Sequence, residues 1–222
     1  MDPAIARIFT ANSQWADAVS DAEPQFFQAS AKGQSPKVLW IGCADSRVPE
    51  SVVTASKPGD IFVHRNIANQ FHPDDDSALS VLTYAVHELG VQHVVVVGHT
   101  HCGGAKACYS AACAGAAAPG SSSAPATPLE RWLAPLTALA ASLRLSTAPP
   151  EYALPLLVEE NVKAQVANVV KAVPLLDAWR AQKRVWVHGW VYEVEKGTLK
   201  DLGVSKGPES VEAGPAARAT DA

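Results

Sequence analysis

Two short clusters carry side chains able to do metal chemistry. Cys43-Ala44-Asp45-Ser46-Arg47 brings together a thiol, a carboxylate and a guanidinium. His99-Thr100-His101-Cys102-Gly103-Gly104 adds imidazole and a second thiol ahead of two glycines. Thiolate and imidazole suit Zn2+, and three protein donors with a fourth direction open are what a catalytic zinc site needs. Four such donors would instead close a structural site. Taken singly, a buried cysteine is a small hydrophobe and a lone histidine a satisfied polar group. The two clusters together, with a carboxylate and an arginine beside one of them, outweigh those single-residue readings and favour a metal site drawn from both. Two thiolates would cancel the formal charge of the ion. Its water should then ionise less readily than on a three-histidine site, where the pKa is about 7, and activity should climb at alkaline pH. Asp45 is placed to accept a hydrogen bond from that water, and the donor fork of Arg47 to hold the carboxylate ionised and oriented. The bland alternative for this pair is an ordinary salt bridge.

The elements around these clusters must bring distant residues together. Lys37 to Gly42 (KVLWIG) is a short apolar run ending at Cys43, which fits a buried strand, and Ile61-Phe62-Val63-His64 is a second. Asp76 or Ser77 could cap a helix carrying Leu79, Leu82, Val86 and Leu89, with Gly90 as its stop. Gln92 to Val97 is the clearest buried strand, its valines running up to Gly98-His99. Helices are expected from Leu129 to about Leu145 and from Pro155 to about Ala172, where Val162, Val166, Val169 and Val173 keep helical spacing and Pro174 bends or ends the second. Arg184 to Val187 and Trp190 to Val194 read as a strand pair joined at His188-Gly189. Strands alternating with helices imply an α/β fold: a central, mostly parallel β-sheet flanked by helices, here with an antiparallel edge strand. Ligands in such sheets collect beyond the carboxyl ends of the strands, and Cys43 and His99 each follow a predicted strand.

Three segments lie outside this frame. Residues 1–36 read as helix-rich and apolar, with Pro3 and Pro24 suited to first turns and Ile5, Ile8, Phe9, Trp15, Val19, Phe26 and Phe27 as a stripe. They could pack on their own domain or form an arm over a neighbouring subunit. Residues 108–128 are rich in Ala, Ser, Pro and Gly, a helix tail running into a loop within the 37–205 domain. Residues 206–222 form a polar tail expected to fray.

Composition removes several function classes. With 222 residues, 48% hydrophobic, the chain can bury one sizeable core. Charged residues make up 18%, the net charge is −4 and the pI is near 6.0, which is no basis for nucleic-acid binding. No apolar run approaches the ~20 residues a membrane helix needs, and residues 1–7 lack a basic segment followed by an apolar core. The expectation is a cytoplasmic protein with no membrane or nucleic-acid partner, an organelle not being excluded. Of the four cysteines, Cys43, Cys102, Cys108 and Cys113, none forms a C-x-x-C pair, so metal binding or catalysis is favoured over a disulfide framework or a redox role.

The two clusters, with Pro58 to Asn69 (PGDIFVHRNIAN), Glu159-Glu160-Asn161-Val162 and His188-Gly189-Trp190-Val191-Tyr192, resemble the β-class carbonic anhydrases, eukaryotic and fungal-like members above all. The likeness runs over roughly residues 34–203. It implies zinc-dependent, reversible hydration of carbon dioxide to bicarbonate and a proton through a zinc-bound hydroxide, with one Zn2+ per subunit on Cys43, His99 and Cys102. It also implies Asp45 and Arg47 as a catalytic dyad, and a homodimer or higher even oligomer with a helical N-terminal arm. Gln34 matches a glutamine that hydrogen-bonds substrate across the dimer interface, and the N–H groups of Gly103 and Gly104 could steer the anion. A second, non-catalytic bicarbonate pocket of some family members would fall on Trp40, Arg65 and Tyr192, with Asp45 then leaving Arg47 for the fourth zinc position. Core packing for Trp40 and Tyr192, and an interface ion pair for Arg65, are the plainer readings. His64, His72 and His101 are candidate proton relays, none of them assigned. The rivals are a CS2/COS hydrolase on the same fold and a non-catalytic bicarbonate sensor.

Overall fold

A computed structural model of the chain describes residues 1–115, 127–145 and 148–209. It divides into two compact units, Met1–Ser35 and a larger one beginning at Pro36. The first holds α1 (Pro3–Ala22) and α2 (Phe26–Ser30). Asp2 caps α1 by accepting from the Ala4 N–H, with Pro3 in the first turn, where a missing N–H costs nothing. Within this unit Trp15 packs edge-on against Phe27, and neither helix contains a buried residue.

The second unit is built on a five-stranded sheet in the order β2-β1-β3-β4-β5. Its strands are β1 (Val38–Cys43), β2 (Ile61–Asn66), β3 (His93–His99), β4 (Trp186–Glu193) and β5 (Thr198–Asp201). The first four run parallel and β5 pairs antiparallel with β4 at the edge. Between them lie α3 (Glu50–Val53), α4 (Asp76–Thr83), α5 (Gly103–Cys113), α6 (Pro128–Ser142), α7 (Pro150–Lys171) and α8 (Val173–Arg180). Side chains alternate between the two faces of each strand. Leu39 and Ile41, Val94 and Val96, and Val187 and Val191 join Leu157, Val162, Val166 and Leu175 in the main core. Trp40, Val95 and Val97 form a smaller cluster on the opposite face. Burial of both faces explains why β1 and β3 read as unbroken apolar runs.

Several boundaries differ from the sequence reading, each for a local reason. Asp75, not Asp76 or Ser77, caps α4 through the Ser77 N–H. The helix then widens into a π-turn, Tyr84–Leu89, which stops at left-handed Gly90 as expected. α7 starts at Pro150 in its first turn, so Pro155 lies inside the helix rather than opening it. Pro174 belongs to the first turn of α8, a helix the spacing does not reveal. His188-Gly189 is not a join, because β4 runs straight through it. A Cβ on Gly189 would stand 2.7 Å from Val204, 3.0 Å from Val162 and 3.1 Å from Val166, so the glycine is a point of close packing inside the strand. Lys206, at the head of the polar tail, still pairs with Val187. Most of the expected 108–128 loop, residues 116–126, lies outside the described residues, as do 210–222 of the tail.

No described helix is long and apolar enough to cross a membrane.

Candidate metal centre

β1 and β3 are adjacent and parallel, so their carboxyl ends put Cys43 and His99 side by side. The chain leaving β3 turns through His101, whose φ of 57° is left-handed, and delivers Cys102 to the N-terminus of α5. The donor atoms of Cys43, His99 and Cys102 lie within 4.8 Å of one another, and the three residues are 7%, 1% and 6% exposed. It is the only such metal-capable group among the described residues.

The imidazole is already oriented. His99 Nδ1 donates to the Thr100 carbonyl at 2.9 Å, since a carbonyl can only accept. Nε2 therefore carries the lone pair, and it is buried without a hydrogen-bond partner. Such an orphan is costly unless something outside the protein fills it. The thiols are electrostatically linked. Hydrogen bonding from Cys102 draws the Cys43 thiol down, helped by His99 and the Asp45 backbone and opposed by burial. The Cys43 sulfur and burial push Cys102 up, while the N–H groups of Ala105 and Gly104 draw it down. A soft, buried N/S2 donor set with one orphaned lone pair fits a zinc ion, with Cys43, His99 and Cys102 as the residues that would hold it.

Asp45 and Arg47 lie beside these ligands. Arg47 Nε and Nη2 donate to Asp45 Oδ1 and Oδ2 at 3.0 and 2.8 Å, and the Arg47 N–H adds a third bond to Oδ1 at 2.9 Å. The Arg47 side chain, more than any other cause, holds the Asp45 carboxyl far below the usual carboxylate range. Asp45 Oδ2 stands 3.8 Å from His99 Nε2, so the carboxylate faces the ligands while remaining clamped by arginine. Arg47 Nη2 also donates to the His101 carbonyl at 3.1 Å, tying the two clusters together.

The remaining predicted residues fall in different places. Gly103 and Gly104 open α5, and the Gly104 N–H is directed at the Cys102 sulfur. A Cβ on Gly104 would meet the Ala68 Cβ at 2.9 Å. Trp40 and Tyr192 share the smaller apolar cluster. Arg65 grips the loop after β1, donating to the Cys43 carbonyl at 2.7 Å and the Asp45 carbonyl at 2.6 Å, with Glu50 3.8 Å away. Gln34 belongs to the first unit. His64 contacts Asn66 at 3.2 Å and His72 lies against the Trp132 ring, and burial pushes both imidazoles down. His101 is exposed, 3.6 Å from Glu195.

Sequence reasoning missed the groups that brace the centre. Ala68 and Asn69 are both left-handed, at φ 61° and 48°. A buried amide network of Gln70, Asn161 and Gln165 holds that turn against α7. Asn161 lies in the Glu159-Glu160-Asn161-Val162 motif, and an uncharged polar residue inside an apolar helical stripe is the signal that could have found it.

A mostly parallel α/β sheet with a Cys-His-Cys cluster at its carboxyl edge, and a charged pair beside it, is an α/β protein with a group able to hold a metal. Residues 38–199 match the family model for carbonic anhydrase. A carbonic anhydrase of Emericella nidulans is 35% identical over 204 residues, covering 89% of this chain and 83% of that protein. Among solved structures, a tetrameric β-carbonic anhydrase of Sordaria macrospora superimposes with a TM-score of 0.79 at 33% identity, covering 92% of this chain and 100% of that one. A β-carbonic anhydrase of Aspergillus fumigatus gives 0.80 at 35% identity, covering 94% and 95%. The chain belongs to the β-carbonic anhydrase family.

Proposed function

We propose that this carbonic anhydrase is a zinc enzyme that reversibly hydrates carbon dioxide to bicarbonate at Cys43, His99 and Cys102, with Asp45 and Arg47 as its dyad. The observation that carries the reading is the buried, unpartnered Nε2 of His99, converging with two thiols. Zinc, when bound, supplies a Lewis acid that lowers the pKa of a coordinated water. The three ligands fix the donor directions. Asp45, held as an anion, can only accept a hydrogen bond, so it selects an O–H neighbour and orients it. Arg47 keeps that carboxylate charged and turned toward the ligands. The α5 N–H groups at Gly104 and Ala105 stabilise charge on the Cys102 sulfur. No relative named above is a CS2/COS hydrolase or a bicarbonate sensor, and both rivals lack support. The test is stopped-flow CO2 hydration from about pH 6.5 to 9 on protein of known zinc content. Activity that scales with zinc and rises with pH supports the reading; full occupancy without hydration at any pH removes it.

Assembly and regulation belong to the same proposal. Residues 1–36 are an arm that packs on a second copy, bringing Gln34 to the partner's substrate. Support comes from the exposure of Ile5, Ile8, Phe9 and Trp15 on a helix with no buried residue. The minimal assembly is a dimer, and Phe9→Glu should weaken it in analytical ultracentrifugation. A non-catalytic bicarbonate pocket at Trp40, Arg65 and Tyr192 requires Arg65 to release the Cys43 and Asp45 carbonyls. Bicarbonate-soaked crystals with nothing bound between Trp40 and Tyr192 would end that idea. The cytoplasm is the proposed compartment, because two ligand thiols need a reducing environment to stay free for metal.

A further inference from the structure

Thr100 lies between ligands His99 and Cys102, and its carbonyl fixes the tautomer of His99. Thr100 is itself held on both sides of that carbonyl's Cα, by β4 through its N–H and by the turn beyond it through its side chain. The Thr100 N–H donates to the Tyr192 carbonyl at 3.0 Å, and the Val194 N–H donates to Thr100 Oγ1 at 2.9 Å. A hydroxyl that accepts from a backbone N–H still has one proton to give, and Thr100 gives it to Glu195 Oε2 at 2.5 Å. The same oxygen stands 3.6 Å from His101 Nε2. His101 is the left-handed residue whose carbonyl receives Arg47. One carboxylate on the β4–β5 turn thus touches both residues between the two ligands. Neither belongs to the dyad or to the ligand set.

We infer that Glu195 is a positioning residue for the metal centre, acting through Thr100 to fix the carbonyl that sets the His99 tautomer and through His101 to steady the Arg47 acceptor. This rests on the zinc reading above. Partners that orient a metal-bound histidine are worth 10–100-fold in metal affinity or activity. Glu193 supplies the control: it sits in the same hairpin, bonded to Lys196 at 2.8 Å and Thr198 at 3.2 Å, and has no bond to Thr100. A role confined to hairpin stability would make the two glutamates equivalent.

The experiment follows zinc release from the purified holoenzyme into a chromogenic chelator, with thermal unfolding alongside. Glu195→Ala and Thr100→Val are each expected to release zinc about tenfold faster than wild type, and the double variant no faster than the quicker single. Glu195→Gln, which keeps a weaker neutral acceptor, should fall between, while Thr100→Ser and Glu193→Ala stay near wild type. Release from Glu195→Ala at the wild-type rate overturns the inference. So does equal release from Glu193→Ala, or singles whose effects simply add. Wild-type protein that retains no zinc sinks the metal reading itself, which is a separate and earlier outcome.

Discussion

Asn161→Leu removes polarity from the buried network without opening a cavity, because leucine keeps the branched shape and is the larger of the two side chains. Asn161 Nδ2 donates to the Ala68 carbonyl at 3.0 Å, while its Oδ1 accepts from Gln70 Nε2 at 2.8 Å and Gln165 Nε2 at 3.0 Å. After the change, Gln70 Nε2 and the Ala68 carbonyl still have each other at 2.8 Å. Gln165 Nε2 keeps only a 3.4 Å contact with Gln70 Oε1. Three short bonds lost at about 1 kcal/mol each, a weak 3.5 Å bond to Asn69 Oδ1 lost with them, and one buried donor nearly orphaned at about 1–3 kcal/mol more give a loss of roughly 5 kcal/mol. The left-handed Ala68 and Asn69 lose their main restraint, and Ala68 is what Gly104 packs against. Urea unfolding at one fixed protein concentration measures the change, since an oligomer's stability depends on concentration. Asn168→Leu is the comparison. Asn168 is only partly buried and donates to the Phe71 carbonyl and Gln165 Oε1, so its loss should cost about 1–2 kcal/mol. An Asn161→Leu protein within 1 kcal/mol of wild type, or no worse than Asn168→Leu, refutes the claim that this network holds the turn.

Three further outcomes test other parts of the argument. Gly98→Ala places a Cβ 2.7 Å from Val162 and 3.3 Å from Val158, so thermal unfolding should show a loss of about 1–3 kcal/mol that Val162→Ala partly restores. Asp45→Asn keeps the shape of the dyad but removes its charge: kcat should fall by about 100-fold while zinc content stays unchanged, and a parallel loss of zinc would mean that Asp45 supports the metal itself. The neighbouring Cys43 sulfur and burial push the Cys102 thiol up, so in the metal-free protein it is protonated at neutral pH. Zinc binding must then expel a proton, and competition with a chelator should show affinity rising on the order of tenfold per pH unit; affinity flat between pH 6 and 8 would contradict this.

The ligands were legible because their chemistry sits in side-chain type and their position at the ends of two buried runs. VLWIG and VVVVG carry no polar interruption, and both faces of β1 and β3 are covered in the folded chain. Gly90 was equally legible, since a left-handed stop favours glycine. β4 was split because His188-Gly189 looks like punctuation, and only the valines of α7 show why a glycine belongs inside the strand. β5 left no signal, because all four of its residues are exposed and nothing enforces alternation. From the sequence, Pro155 reads as a start and Pro174 as a bend or a stop. The real start belongs to Pro150, and Pro174 opens the next helix.

The bracing through backbone carbonyls could not be read, for a reason that also bears on how the centre works. Arg65, Arg47 and His99 each hold a backbone carbonyl, of Cys43 and Asp45, of His101 and of Thr100 respectively. A carbonyl has no letter in the sequence, so these contacts exist only once the sheet has set the register. The consequence is that ligand directions depend on backbone position rather than on the rotamers of long side chains. Each strand of the parallel sheet takes part: β1 and β3 supply Cys43 and His99, β2 supplies Arg65, and β4 supplies the Tyr192 carbonyl that anchors Thr100. Glycine at 98, 104 and 189 lets α7 and the 67–69 turn approach so closely that a single added methyl would collide. Packing this tight leaves the three donors little freedom to close around an ion in any other geometry. Substitutions at these glycines should therefore disturb metal retention as well as stability, although only Gly104, through its N–H on the Cys102 sulfur, meets a ligand side chain.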